Sequence, residues 1–386
     1  MGHVTRDVAI AREMERLDPG VEISWLGNPL SARIIREAGG KLLPEWERVA
    51  DYNLAGLEAV SDFSLDLMKY VSAAKAPREQ NLILLKEILG KYDFDLIIGD
   101  EIYEVIIGMA EDRIRIPCPV IMIEDFIGHE SMDKSLKIKL GIYLYSRKWI
   151  RSVKKTAGQV THLFIGEPED VPEKRFGFLL PGRRAFGRRY YRFAGHIVRF
   201  DPSEYADRAA VRKKLGYGDE PLVLCATGGT GVGRELLELC GRAYPLVKEQ
   251  IPDIHMVYVC GELYSLEPPR LPEGADRHEY IPNIYEHFAA ADLTVIVGGG
   301  TSTIELTALR RPFLFFPLEN QFDQQHYVAD RIVRHGAGVK MSYRDTTPET
   351  LAQAIVENIG REVTAKEFPA DGARIVAETA MEKMRG

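Results

Sequence analysis

The sequence predicts an α/β protein built from two halves, each a parallel sheet flanked by helices. Three observations predict it. Short apolar runs alternate with helical patterns along the whole chain, several runs end in glycine-rich turns that open a helix, and 386 residues suffice for two domains of ordinary size. Strands separated by helices call for right-handed crossovers, hence parallel pairing.

The first half, 1–198, opens with a Gly2-His3 loop and a helix whose apolar positions are Val8, Ile10, Ala11, Met14 and Leu17. Val21–Leu26 reads as a strand ending in Gly27-Asn28-Pro29, and Ser31–Ala38 as a helix closed by Gly39-Gly40. Residues 54–89 contain few breakers and read as one long helical region. Leu96–Asp100, Val120–Ile123 and His162–Ile165 read as buried strands, and 195–202 as an extended linker. A Gly-His loop normally follows a strand and none precedes this one, so the pattern predicts that the natural protein begins upstream with a first strand.

The second half, 199–386, restarts the pattern. Leu222–Ala226 is a strand, a glycine loop follows at 228–233, and a helix starts at Arg234. His255–Val259, Leu293–Val297 and Phe313–Phe316 read as strands; Tyr285–Ala291, Gln324–His335, Pro348–Ile359 and Ala373–Arg385 as helices, the last able to pack back on the first half.

Composition narrows the function classes. Hydrophobic residues at 45% and charged residues at 28% are those of a globular protein, and a net charge of −7 argues against a dedicated nucleic-acid binder. Charge is uneven: between Lys134 and Arg199, 16 Lys or Arg stand against 4 Asp or Glu, interleaved with Trp149 and tyrosines. That region, 134–199, suits an anionic membrane surface; a solvated helix with a basic loop is the plainer alternative. Cys118, Cys225, Cys240 and Cys260 form no C-x-x-C, so buried thiols are expected rather than disulfides or metal ligands. No signal peptide opens the chain and no run reaches the ~20 apolar residues of a membrane span. A cytoplasmic protein, peripheral on the membrane at most, is expected.

The chemistry concentrates in V-I-V-G-G-G-T-S-T-I-E-L, 295–306. An apolar strand runs into Gly298, Gly299 and Gly300, which let backbone approach a ligand. Thr301, Ser302 and Thr303 bring hydroxyls to a helix start, where free N–H groups and the helix dipole favour phosphate. Glu305, expected in the first turn, is a carboxylate for two sugar hydroxyls. A-T-G-G-T-G-V-G-R-E, 226–235, serves equally as a diphosphate loop or a tight strand-to-helix turn. Y-I-P-N-I-Y, 280–285, either turns the chain or offers Ile281 backbone to a flat base. Gln324 and Gln325 follow a strand end, where open α/β sheets bind ligands. His3 reads either as a terminal histidine or as a general base with Asp100 behind it, Asp125 being the weaker candidate for that partner. Asp93-Phe94-Asp95 reads as a turn, and no metal cluster is expected.

Taken together these residues resemble the glycosyltransferases of family 28 and the related UDP-glycosyltransferases, over nearly the whole chain and most strongly from Leu222 to Met341. The resemblance implies two facing Rossmann-like domains (the GT-B arrangement), a UDP-sugar donor, no metal or other cofactor, and an inverting transfer to an acceptor hydroxyl, for which the basic region suggests a lipid or lipid-linked molecule. It puts the diphosphate near Gly228, Gly229, Thr230, Gly231, Gly299, Gly300, Ser302 and Thr303, uracil on Ile281, the ribose on Glu305, and the donor on Gln324 and Gln325. It makes His3 the base and Asp100 its partner. Val297 departs from the phosphate-binding histidine of many UDP-glycosyltransferases, and Val328 and its neighbours from the asparagine after the glutamines. A UDP-sugar 2-epimerase and a non-catalytic nucleotide-sugar-binding subunit are the alternatives.

Overall fold

A computed structural model describes residues 2–51, 60–61, 64–65, 67–130, 135–227, 233–261, 268–317, 324–367 and 369–385. The chain opens with α1 (Gly2–Leu17), β1 (Ser24–Trp25), α2 (Pro29–Glu37) and β2 (Lys41–Leu42). Asn28 caps α2, its side-chain oxygen accepting from the Ser31 N–H, and Pro29 occupies the first turn where no N–H is needed. A small antiparallel pair follows, β3 (Val60–Ser61) and β4 (Ser64–Leu65), and then α3 (Leu67–Leu89).

The main sheet of this half comprises β5 (Ile97–Asp100), β6 (Val120–Glu124), β7 (Val160–Phe164) and β8 (Tyr191–Phe193), paired in that order and all parallel. The connecting helices are α4 (Tyr103–Ala110), α5 (Leu136–Thr156) and α6 (Arg183–Tyr190). Every residue of β6 is buried, the pattern of a strand covered on both faces.

The second half contains α7 (Arg208–Leu215), β9 (Leu222–Ala226), α8 (Arg234–Gln250), β10 (His255–Val259), β11 (Asp276–His278), α9 (Ile284–Ala290) and β12 (Leu293–Val297). It continues with α10 (Gly300–Ala308), β13 (Phe313–Phe316), α11 (Gln324–His335), β14 (Val339–Lys340), α12 (Pro348–Asn358) and α13 (Gly372–Arg385). Its six strands lie in the order β11-β10-β9-β12-β13-β14, all parallel. After β9 the chain moves to one side of it, and from β12 to the other. That reversal opens a crevice at the carboxyl ends of β9 and β12, where such sheets take ligands.

The last helix crosses back. Val376, Ala377 and Ala380 on α13 are fully buried against Ile10 and Met14 of α1 and Ile121, Ile123 and Leu163 of the first sheet. Burial of a side chain such as Val376 contributes about 1.5–3 kcal/mol. The two halves therefore share one apolar layer.

The structure corrects several expected elements. Gly2 and His3 belong to the first turn of α1 rather than to a loop, and the first strand shrinks to Ser24–Trp25. The long helix begins only at Leu67, after the β3–β4 pair; residues 54–59, 62–63 and 66 of that expected helix lie outside the described ones. Tyr191–Phe193, read as part of a basic loop, is an edge strand. All four cysteines are free and buried. Among the described residues no helix is long and apolar enough to cross a membrane.

Candidate functional site

The first half contributes a cluster of charges at the carboxyl ends of β5 and β6. His3 stands in the first turn of α1, Asp100 ends β5 and Asp125 follows β6. His3 Nδ1 lies 3.0 Å from Asp100 Oδ1, and Nε2 lies 3.9 Å from Asp125 Oδ2. Arg6, one helical turn after His3, joins the group. Its Nε donates to Asp100 Oδ2 at 2.8 Å, its Nη2 to Oδ1 at 2.6 Å, and its Nη1 to Asp125. The Arg6 side chain is 8% exposed and that of Asp100 9%, while His3 is half exposed and faces the cleft.

Loss of water around the ring within the cluster works against charge at His3, as does Arg6, but the charge and hydrogen bond of Asp100, with Glu101 adding, prevail and move the imidazole up to about 9. Burial would raise Asp100; the charges of Arg6 and His3 prevail and hold it well below the usual carboxylate range. Glu101, next along, is pushed up to about 7 by burial, with Asp125 and Asp100 adding to the effect and His3 opposing it. Its backbone is left-handed, φ 54°, a conformation that side chains of this kind rarely adopt outside constrained sites.

The second half faces this cluster with open backbone. β12 is buried throughout, and Gly299 stands just before the first turn of α10 with φ −68°, no side chain capping the helix. A Cβ built on Gly300 would meet nothing within 4 Å. Among the described residues, packing therefore does not require glycine at Gly300. Gly233, at the start of α8, contrasts with it: φ is +114°, and a Cβ there would lie 2.5 Å from Val297 Cγ2. The loop after β9 thus ends packed against the strand that leads to α10. Gly228, Gly229, Thr230 and Gly231 lie outside the described residues.

The hydroxyls divide. Ser302 is half buried on α10, whereas Thr303 is turned inward, its Oγ1 donating to the Gly299 and Gly300 carbonyls, both at 2.9 Å. Glu305 sits in the second turn of α10, not the first as expected. It is 2% exposed, and Arg199 Nε donates to its Oε1 at 2.7 Å. Burial raises its pKa, with Arg199 opposing. The Arg199 guanidinium lies 4.7 Å from the Tyr285 ring centre, and Tyr285 stacks on Phe200 at 4.3 Å. The Ile281 side chain is 7% exposed and belongs to the core. Gln324 and Gln325 begin α11, whose far end meets the first half: Arg334 donates to Asp170 at 2.6 Å.

The two faces come together. A Cβ on Gly2 would collide with the Thr301 side chain, so the first turn of α1, which carries His3, packs against the N-terminal turn of α10. Beside them a cleft pocket runs between Asp125, Phe126 and Gly128 on one side and Tyr327, Val328 and Arg331 on the other. Two triads, His3–Glu101–Asp125 and Glu167–His196–His335, have ligand atoms within 4.8 Å of one another. Each is faced by guanidinium, Arg6 in the first and Arg334 in the second, whose charge opposes a cation.

Sequence reasoning missed Arg6 and Arg199. Arg6 follows His3 by one helical turn, the only local signal available. Arg199 lies in the extended linker 195–202, where nothing points to a partner 106 residues away.

Two parallel α/β units facing one another across a cleft make up the GT-B fold. A solved glycotransferase of kitacinnamycin superposes with a TM-score of 0.59 over 100% of this chain and 91% of its own, at 16% identity, a likeness of fold. Residues 223–374 match the glycosyltransferase family 28 C-terminal domain. An uncharacterized glycosyltransferase of Methanopyrus kandleri is 30% identical over 195 residues, 48% of this chain and 54% of that one. The UDP-N-acetylglucosamine–N-acetylmuramyl-(pentapeptide) pyrophosphoryl-undecaprenol N-acetylglucosamine transferase of a Mycobacterium species is 26% identical, with 100% of this chain and 93% of that one covered. The chain thus has the GT-B fold, and its residues 223–374 are similar to the family 28 C-terminal domain.

Proposed function

We propose that the protein is an inverting, metal-independent transferase that moves a hexose or N-acetylhexosamine from a UDP-sugar to an acceptor hydroxyl. The observation that carries this reading is the position of His3, bonded to Asp100 in the turn of α1 that packs against Thr301 at the N-terminus of α10. In this reading 1–198 binds the acceptor and 199–386 the donor. The acceptor O–H gives its proton to His3 Nε2 as its oxygen attacks the anomeric carbon, and the bond from that carbon to the diphosphate breaks. A single displacement inverts the centre. The N–H groups at Gly300–Ser302 and the helix dipole offset the charge growing on the departing UDP. Glu305, with Arg199 behind it, takes the ribose hydroxyls.

A lipid or lipid-linked acceptor fits the surface of the first half. Leu136, Leu140 and Leu144, 83%, 58% and 54% exposed, line one stripe of α5 at four-residue spacing. Phe178 and Leu179, 80% and 79% exposed, extend the patch, since Gly177 closes on the Tyr143 ring of α5. Exposed Lys137, Lys139, Arg147 and Arg151 flank it. Apolar side chains rimmed by cations suit the interface of an anionic bilayer.

The test is UDP release from UDP-sugars with lipid extracts as acceptor, in the parent protein and in His3→Ala, beside a thermal-shift titration with UDP and ADP. Donor-dependent release lost in His3→Ala supports the reading; no UDP-selective shift in a folded sample sinks the donor assignment. Glu101 and Asp125 beside His3 favour one second reading, a UDP-sugar 2-epimerase, whose signature is an isomerised sugar without UDP build-up.

A further inference from the structure

We propose that Arg6 is the positioning residue of the acceptor-side base: it holds the carboxylate that orients His3 and decides which imidazole nitrogen is left free for the acceptor proton. This inference rests on the reading of His3 as that base.

Three atoms carry the argument. Asp100 Oδ1 lies 3.0 Å from His3 Nδ1 and 2.6 Å from Arg6 Nη2, and those two nitrogens are 2.9 Å apart. A guanidinium has donors only and stays protonated. Two arrangements of the triangle are therefore open. In one, Oδ1 accepts from both Nδ1–H and Nη2–H, using its two lone pairs, and Nε2 is free to take a proton. In the other, Nη2–H donates to a bare Nδ1, the ring proton sits on Nε2, and His3 has no free nitrogen toward the cleft. Arg6 favours the first because it grips Asp100 on both oxygens, Nε on Oδ2 and Nη2 on Oδ1, with Nη1 anchored on Asp125. A fork of this kind leaves the carboxylate one orientation, with Oδ1 toward the ring.

Arg6 also supplies the positive charge that the site needs. His3 is faced by Asp7 of α1, by Asp100 and Glu101 at the end of β5, and by Asp125 at the end of β6; Arg331 of α11 acts on the far side of Asp125. Among these, Arg6 is the cation that acts directly on the imidazole, lowering its proton affinity against the pull of Asp100. Without it the ring would be the main counter-ion of four carboxyl groups and would hold its proton more tightly.

The experiment uses the full chain labelled with 15N-histidine. Nδ1 and Nε2 shifts of His3, identified by their loss in His3→Gln, are followed with pH in the parent, Arg6→Lys, Arg6→Gln and the charge-balanced Arg6→Gln/Asp125→Asn. The pH dependence of kcat/KM is measured beside them. In the parent, neutral His3 is expected to carry its proton on Nδ1. In Arg6→Gln the His3 titration and the acid limb of kcat/KM are expected to move together to higher pH, by about one unit. At pH 7 turnover then falls about tenfold, while KM for the UDP-sugar stays within about twofold. Arg6→Lys, which keeps the charge but not the fork, is expected to keep the titration while the tautomer becomes mixed. Unchanged titration and tautomer in a folded Arg6 variant would overturn the inference, as would a parent His3 protonated on Nε2, a reading that needs no variant. Full activity in His3→Ala would instead sink the base assignment and leave the nitrogen shifts to judge Arg6 alone.

Discussion

The two faces of the cleft use opposite materials. The side proposed for the acceptor is a knot of side chains, in which His3, Arg6, Asp100 and Asp125 pair from three elements and Arg6 and Asp100 are nearly buried. The side proposed for the donor, at α10, starts with Gly299 and Gly300, which packing among the described residues does not demand. The contrast teaches where each half is vulnerable. A buried charge knot fails when any member is removed, because the others are left without partners. A helix N-terminus fails only when something fills the space in front of it.

The largest expected effect is on turnover. His3→Ala is expected to lower kcat by about 10²–10⁴-fold, measured as UDP release, while the thermal shift produced by UDP is retained. Loss of both together would mean that the two faces are not separable. Next, Asp100→Ala leaves Arg6 and His3 facing one another and is expected to destabilise the fold by about 3–5 kcal/mol in denaturant titrations. Asp100 also fixes an acid limit. Its folded pKa is depressed, so its contribution is present above the unfolded value near 3.9 and is lost as pH falls below that toward the folded value. Circular dichroism of the parent should reveal an acid transition that Asp100→Asn weakens.

On the donor side, glycine substitutions sharpen the contrast. Gly300→Ala is expected to fold with the parent's stability yet lose much of the UDP shift. Gly233→Ala is expected to destabilise by about 1–3 kcal/mol, because φ +114° and the nearby Val297 methyl both resist a Cβ. If Gly300→Ala bound UDP as the parent does, the open face of α10 would not be the phosphate site. The smallest effect is on the surface: Leu140→Glu with Leu144→Glu should abolish co-sedimentation with anionic vesicles and leave the UDP shift unchanged.

Much of the fold could be read from the chain because its strands are covered on both faces. Leu222–Ala226, Leu293–Val297 and Phe313–Phe316 are apolar but for Thr294 and are buried throughout. Asp276–His278 escaped because it is a polar edge strand, and Tyr191–Phe193 because it lies within a run of arginines. The site divides in the same way. The strand, glycine turn and helix start around Gly299 and Gly300 were legible because they are contiguous in the chain. Arg6 was not, since Thr5-Arg6-Asp7 reads as solvated helix and the residue's role is set by Asp100, 94 positions away. Glu305 was visible as a carboxylate, but its turn of helix and its pairing with Arg199 were not.

The central claim is that the histidine facing α10 performs the proton transfer while α10 holds the nucleotide. The most direct measurement is UDP release by His3→Ala under conditions where UDP still stabilises it, by about 2.7 kcal/mol at 100 times the dissociation constant. The account predicts a variant that binds UDP as the parent does and barely turns over. A variant that binds UDP and releases it from UDP-sugar at the parent's rate would contradict it.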